Sequence, residues 1–277
     1  MPRRLDPTDH RAITDRLRIA GDAGLGRRRQ DDDFGWDKAH AKSLLPDVLA
    51  AVSGLQERLY AEGARKLLVV LQAMDAGGKD GTLRDVLTGL NPAGISVAAF
   101  GVPTEDERGH DYLWRVHQHT PGAGRRITVF YRSHYEDVLV VRVKGLAPKA
   151  CWSRRYAHIK NFERLLTDEG TAIVKIFLHL SREEQRLRMQ DRIDSPDERW
   201  KFRAGDLDDR ALWDDYMAAY REAIERTSVR SAPWFVVPAD RKWVRNLAVA
   251  SILRTTLESM DLQYPEPEKG VEHIVVT

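Results

Sequence analysis

Residues 66–84, KLLVVLQAMDAGGKDGTLR, constrain what this chain can become more than any other stretch. Leu67, Leu68, Val69, Val70 and Leu71 form an unbroken apolar run. A strand with one wet face would alternate, so an unbroken run predicts a strand buried on both faces, as in a parallel sheet. The run then breaks at Gly77 and Gly78, which let the backbone turn sharply and bring successive N–H groups toward an anion. Lys79 adds a point charge, and a helix predicted over 79–90 adds its positive N-terminal end. Gly77, Gly78, Lys79, Asp80, Gly81 and Thr82 together make the expected phosphate cradle.

The match to the phosphate-loop pattern G-x-x-x-x-G-K-[ST] is incomplete, because Ala73 stands at the first glycine and Asp80 at the hydroxyl position. A plain strand-to-helix turn is the alternative, and the strand before and helix after are the context that favours phosphate. Asp75 and Asp80 would repel phosphate unless a divalent metal lies between, which makes Asp75 the candidate metal anchor.

The remaining chain alternates strands and helices. Apolar residues from Leu45 to Leu59 at helical spacing predict an amphipathic helix leading into the first strand. Further strands are expected at 95–100, 127–131, 171–180 and 234–238, with helices at 103–120, 148–170, 206–230 and after Asp240. The segment 103–120 carries His110, Asp111, Arg115, His117 and His119, without a fourth ligand at zinc-motif spacing. In an open parallel sheet ligands bind at the carboxyl ends of strands, so Arg132 should share a crevice with Lys79; a surface arginine is the alternative. Glu136 and Asp137 either cap a helix start or address metal and nucleotide. In 181–203, Gln185, Arg188 and Arg192 fall on one helical face before Pro196. That pattern suits either a solvated helix laced with ion pairs or a flap presenting arginines to moving phosphate.

With 44 basic and 42 acidic residues the net charge is +2, so anion selectivity must come from local arrangement and no general affinity for nucleic acid or membrane is expected. Cys151 is the lone cysteine, the N-terminus has no apolar core of signal-peptide type, and no apolar run nears membrane-spanning length; a cytoplasmic location is expected. Residues 1–40, rich in Arg, Asp and Gly, read as an extended arm whose arginines Arg27, Arg28 and Arg29 could also hold a polyanion. Residues 41–277 read as one domain with a lid at about 182–209. The fold class expected is α/β, a three-layer sandwich around a central parallel sheet.

The motifs AMDAGGKDGT at 73–82, Asn91-Pro92, HDYLWR at 110–115, RSHYED at 132–137 and RWKF at 199–202 stand in an order that resembles the polyphosphate kinase type 2 family over about 37–267. The resemblance implies a thymidylate-kinase-like P-loop fold with a helical lid, magnesium dependence, and reversible phosphoryl transfer between inorganic polyphosphate and AMP or ADP, with ATP as product or donor and guanine nucleotides as further candidates. It implies catalytic roles for Lys79, Arg132 and Asp75, phosphate contacts from Arg188, Arg192 and Lys201 on the lid, and structural or nucleotide-side roles for His110, Asp111 and Arg115. A homo-oligomer is expected. An ATP-dependent nucleoside monophosphate kinase and a non-catalytic polyphosphate- or nucleotide-binding protein remain the rivals. The chain departs from the family pattern at Tyr131, where an Asp or Asn precedes the Arg-Ser pair; a phenol is a poor ligand for a hard cation, so metal binding would lean on Asp75 with Asp80, Glu136 or Asp137.

Overall fold

A computed structural model describes residues 4–276, so residues 1–3 of the expected arm and residue 277 lie outside the described residues. The elements in chain order are α1 (His10–Leu17), α2 (Lys38–Glu62), β1 (Lys66–Gln72), α3 (Lys79–Val86), β2 (Ile95–Ala99), α4 (Glu105–Arg108), α5 (Trp114–His117), β3 (Ile127–Tyr131), α6 (Val140–Val143), α7 (Lys149–Asp168), β4 (Thr171–His179), α8 (Arg182–Asp194), α9 (Gly205–Ala211), α10 (Trp213–Thr227), β5 (Trp234–Pro238) and α11 (Lys242–Glu258). The strands form one sheet in the order β2-β3-β1-β4-β5, and every pairing is parallel, with Leu71 opposite both Tyr131 and Ile176. The loop-bearing strand β1 is therefore central.

Period-two geometry explains why β1 is apolar throughout. Leu67, Val69 and Leu71 join a core built with α1, α2, α3 and α11, while Leu68 and Val70 join the opposite core, built with α7 and α10. This is the three-layer α/β arrangement expected. The second core also encloses a charge: Lys175 of β4 donates to Glu163 of α7 at 2.6 Å, to the Thr227 carbonyl at 2.8 Å and to the Tyr135 hydroxyl at 3.0 Å. With both charged partners fully buried, the network has the partners that such groups need in a low dielectric.

Three helix expectations and the reading of the arm change. The helix over 79–90 stops at Val86, because Gly89 takes a left-handed φ of 87° and turns the chain toward Asn91. The segment 103–120 is not one helix but two four-residue turns, α4 and α5. Thr104 and Glu107 form a capping box that starts α4, and the Asp111 carboxylate accepts from Leu113 N–H to launch the next turn, so local capping interrupts the run. The helix over 206–230 divides at Leu212 into α9 and α10.

The arm is the fourth correction. It is not merely extended: it forms α1 and supplies part of the core, with Ile13 and Leu17 of α1 buried, as are Ile19, Ala23, Leu25, Phe34 and Trp36. Arg18 makes an antiparallel bridge to Phe235, and Ile19 N–H donates to Trp234 O at 2.9 Å, so the arm covers the β5 edge. Past Tyr264 the described tail is mainly exposed, with one 3-10 turn at Val271–His273.

Candidate active site

The loop between β1 and α3 is shaped by close contact. A Cβ added at Gly77 would lie 2.5 Å from the Ala73 Cβ and 2.7 Å from Met74 O, so no larger residue fits. Gly78 holds φ at 93°, and a Cβ there would lie 2.1 Å from Arg245 Nη1. Ala76 is held at φ 57°, a left-handed conformation that costs a non-glycine residue free energy and is maintained by the surrounding structure.

Lys79 is buried where α3 begins, and its ammonium donates to Ala73 O at 2.7 Å and Met74 O at 3.3 Å. Two of its three donors are thereby committed, which leaves one for a ligand. Burial lowers the Lys79 pKa, and Asp75 opposes that shift by favouring the charged form. Arg132 follows β3 directly with φ 58° and donates from Nη2 to Asp75 Oδ1 at 3.2 Å. Burial works against the Arg132 charge, but Asp75 and Glu136 prevail and raise its pKa. The carboxyl ends of β1 and β3 thus bring Asp75, Lys79 and Arg132 together.

More acid faces this crevice than the first motif alone suggests. The Glu136 pKa is raised by burial, against the charges of Arg132 and Lys79. Asp206, at the start of α9, has its pKa raised by burial and by the nearby Asp75, with Arg192 and Arg132 opposing. Nothing in the spacing of 206 marks it, because it arrives through the fold of the segment after α8. Tyr131 lies with its ring 5.7 Å from the Lys79 ammonium. Burial and the adjacent Asp80 charge raise its phenol pKa, so the side chain stays neutral. Thr82 is buried and its hydroxyl donates to Gly78 O at 3.0 Å, closing the first turn of α3.

The expected site residues divide. Glu136 faces Lys79 and Arg132, whereas Asp137 turns the other way and accepts from Arg155 of α7 at 2.7 Å. Arg115 is buried, donating to Gly101 O at 3.0 Å and Glu107 at 3.3 Å. His110 stacks on Trp114 with ring centroids 4.0 Å apart, and Asp111 is occupied in capping. Lys201 pairs with Glu198 at 2.8 Å and lies over the Trp200 ring. Arg188 is not held out on a free flap. It is buried and donates to Glu184 at 2.8 Å, Ala76 O at 3.3 Å, Ala239 O at 2.6 Å and Asp240 O at 3.0 Å. Four of its five N–H groups are committed, so Arg188 ties α8, the phosphate loop and the β5 turn into one body. Gln185 does the same, donating to Asp75 O at 3.0 Å.

Arg245 was not marked by any motif. It lies 1% exposed on α11 against Gly78 and Gly81, donates to Asn246 Oδ1 at 2.7 Å, and has its pKa lowered to about 10 by burial and by Arg188. The available signal was an arginine inside the apolar helix run VRNLAVASIL at 244–253, a place where an unpartnered charge is not tolerated. Among the described residues no group of three or more His, Cys, Asp and Glu side chains is assembled to hold a metal ion, and no helix is long and apolar enough to cross a membrane.

The comparisons with known proteins agree with this geometry. The family model "Polyphosphate kinase 2" matches residues 36–265. An AMP/ADP-polyphosphate phosphotransferase of Meiothermus ruber is 54% identical over 265 residues, covering 94% of this chain and 99% of that protein. An ADP-polyphosphate phosphotransferase of Rhodopseudomonas palustris is 45% identical over 247 residues, 85% of each chain. Among solved structures, Polyphosphate Kinase 2 from Arthrobacter aurescens TC1 superposes with a TM-score of 0.90 at 40% identity, covering 99% of this chain and 96% of that one. A glycine-turned phosphate loop on the central strand, a basic residue following β3, and close relatives along nearly the whole length lead to one assignment: the chain belongs to the polyphosphate kinase 2 family.

Proposed function

We propose that the protein transfers a terminal phosphoryl group between inorganic polyphosphate and AMP or ADP, in a reaction that runs in either direction. The observation that carries this reading is the convergence of Asp75, Lys79 and Arg132 at the mouth of a loop in which Gly77 admits no side chain. The acceptor is itself a phosphate oxygen, already anionic at neutral pH, so no general base is needed. Catalysis is then alignment and charge neutralisation. Lys79 and Arg132 clamp the transferred group, and the backbone N–H groups of 78–81 cradle its neighbours, since those of Gly77 and Thr82 are spent on Met74 O and Gly78 O. Arg192 and Lys201, on the segment acting as lid, close over the chain of phosphates. Arg188 contributes chiefly by holding the loop, with one N–H left for phosphate.

The donor set suits magnesium. Asp75, Asp80 and Glu136 offer hard oxygens, and magnesium characteristically takes one or two carboxylates, substrate phosphates and water instead of an all-protein cage. Asp75 would anchor it; when bound, the ion neutralises charge on the phosphate oxygens. A lone Cys151 suits a reducing cytoplasm.

The test offers long-chain polyphosphate or ATP, separately and with magnesium, to AMP, ADP and GDP. ADP or AMP should be phosphorylated with polyphosphate as the sole donor. Transfer from ATP to a nucleoside monophosphate, with none from polyphosphate, would identify a monophosphate kinase; binding without product would identify a binding protein.

A further inference from the structure

The arm between α1 and α2 folds back over the carboxyl ends of β4 and β5 and encloses a cavity of about 460 Å³. Arg16, Arg27, Arg28 and Arg29 line it, together with the carboxylates of Asp22 and Asp32. Asp22 is committed, pairing with Arg27 and accepting from Gly24 N–H at 2.7 Å, whereas Asp32 accepts only from Phe34 N–H, at 2.9 Å, so the four arginines face one committed and one uncommitted carboxylate. Arg29 is held by Asp31 through two hydrogen bonds of 2.9 and 2.8 Å. Arg16 and Arg28 are left without an ion pair among the described residues. Arg28 is half-buried and donates only to carbonyls, Ala23 O at 3.0 Å and Arg16 O at 3.5 Å. Its pKa is lowered by burial and by the like charge of Arg16, with Asp22 opposing without reversing the shift. Two guanidinium groups facing one concavity, one of them desolvated, repel each other until an anion lies between them.

His179, the last residue of β4, lines the same cavity. Its ring is 2% exposed, its Nε2 lies 3.3 Å from the Gln30 side-chain nitrogen, and its Nδ1 is buried without a hydrogen-bond partner. Because a Gln amide nitrogen only donates, Nε2 accepts, and the neutral ring carries its proton on Nδ1. That leaves a buried N–H donor with no acceptor, a group that a folded protein rarely leaves unmet.

We infer that this cavity is a second anion site, outside the phosphate loop, that takes a phosphoanhydride: a segment of inorganic polyphosphate or the phosphate tail of a nucleotide. Guanidinium forks match phosphate oxygens in pairs, and the volume lies within the ordinary range of ligand pockets. The site is connected to the loop. Asp240 N–H donates to Gln30 O at 3.1 Å and Ala239 N–H to His179 O at 3.0 Å. The carbonyls of Ala239 and Asp240 in turn hold Arg188, which reaches Ala76 O. The family match begins at residue 36, so the part of the arm that builds the cavity lies outside it.

Hydrogen–deuterium exchange of the full chain, read by peptide, tests the site. Tripolyphosphate, ADP and buffer alone are the three arms. Exchange in peptides covering 16–34 should slow severalfold with at least one of the two ligands. Protection by tripolyphosphate alone assigns the inorganic chain, by ADP alone the nucleotide, and by both the phosphoanhydride they share. The Arg16 side chain makes no hydrogen bond or ion pair among the described residues, so Arg16→Glu reverses charge without removing a support. It should abolish protection of 16–34 while preserving that of the loop peptides 73–86. Protection of 16–34 by neither ligand, or protection unaffected by Arg16→Glu, overturns the site. Protection of 16–34 with no protection of 73–86 would sink the proposed reaction centre and leave this site standing.

Discussion

Lys79 and Arg132 feel the charge of the same carboxylate, Asp75, from opposite environments. Lys79 is buried with two donors spent on loop carbonyls, whereas the Arg132 side chain is 44% exposed and held at φ 58°. If both neutralise charge that shifts in the transition state, Lys79→Ala and Arg132→Ala should each lower turnover on the order of a hundredfold while thermal melts show a folded protein. Near-normal turnover in both would remove them from the mechanism. Tyr131 carries a second residue-scale prediction. Its neutral phenol stands beside Asp80 and Lys79, in the position where the family pattern resembled here has a carboxylate or amide. Tyr131→Asp should lower the magnesium concentration for half-maximal activity, and Asp75→Asn should raise it. Unchanged magnesium titrations for both would move the anchor elsewhere.

At the scale of elements, α1 shows how a charge-rich segment can still be structural. Among HRAITDRL, Ile13, Thr14 and Leu17 are the buried positions, and they meet α11 and the β5 edge. Ile13 is 0% exposed, so Ile13→Ala removes packed methyl groups and should cost about 2–5 kcal/mol in denaturant unfolding. A cost below about 0.5 kcal/mol, the scale of an ordinary surface substitution, would mean that the arm merely lies on the core. The segment after β4 follows the same logic: Gln185 and Arg188 anchor the N-terminal half of α8 to the phosphate loop, whereas Arg192 and Lys201 lie farther along toward the exposed Arg199–Lys201 turn. Any closing motion therefore belongs to residues beyond Arg188.

Across the whole molecule, buried histidines make stability depend on pH. The His179 pKa is lowered to about 4, first by burial and then by Arg28. The unfolded chain takes up this proton near pH 6.5 and the folded chain does not. The stability contributed is therefore present above pH 6.5 and lost as pH falls through about 4. Its size is on the order of 3 kcal/mol. His134, whose pKa burial lowers despite Glu163, acts in the same direction. Urea unfolding should weaken across this window, and His179→Gln should flatten the slope. Parallel loss in both proteins would assign acid sensitivity to other groups.

Strand identity and the phosphate-loop motif were legible in the sequence because each rests on local chemistry. An unbroken apolar run marks the buried strand, paired glycines make the turn, and the family motifs follow in order. The five expected strands lie within a residue of their observed ends, as β1 to β5. Helix ends were legible only in part, since the capping at Thr104 and Asp111 competes with the periodicity on which the 103–120 expectation rested. Tertiary structure alone decided what long-range contact controls: the burial of the arm on β5, the diversion of Arg188 from free cation to strut, the opposite facing of Glu136 and Asp137, and the arrival of Asp206 and Arg245 beside the loop. A side chain's type is written in one residue, but its charge state and its free donors depend on neighbours far along the chain, as Arg245 is from Gly78.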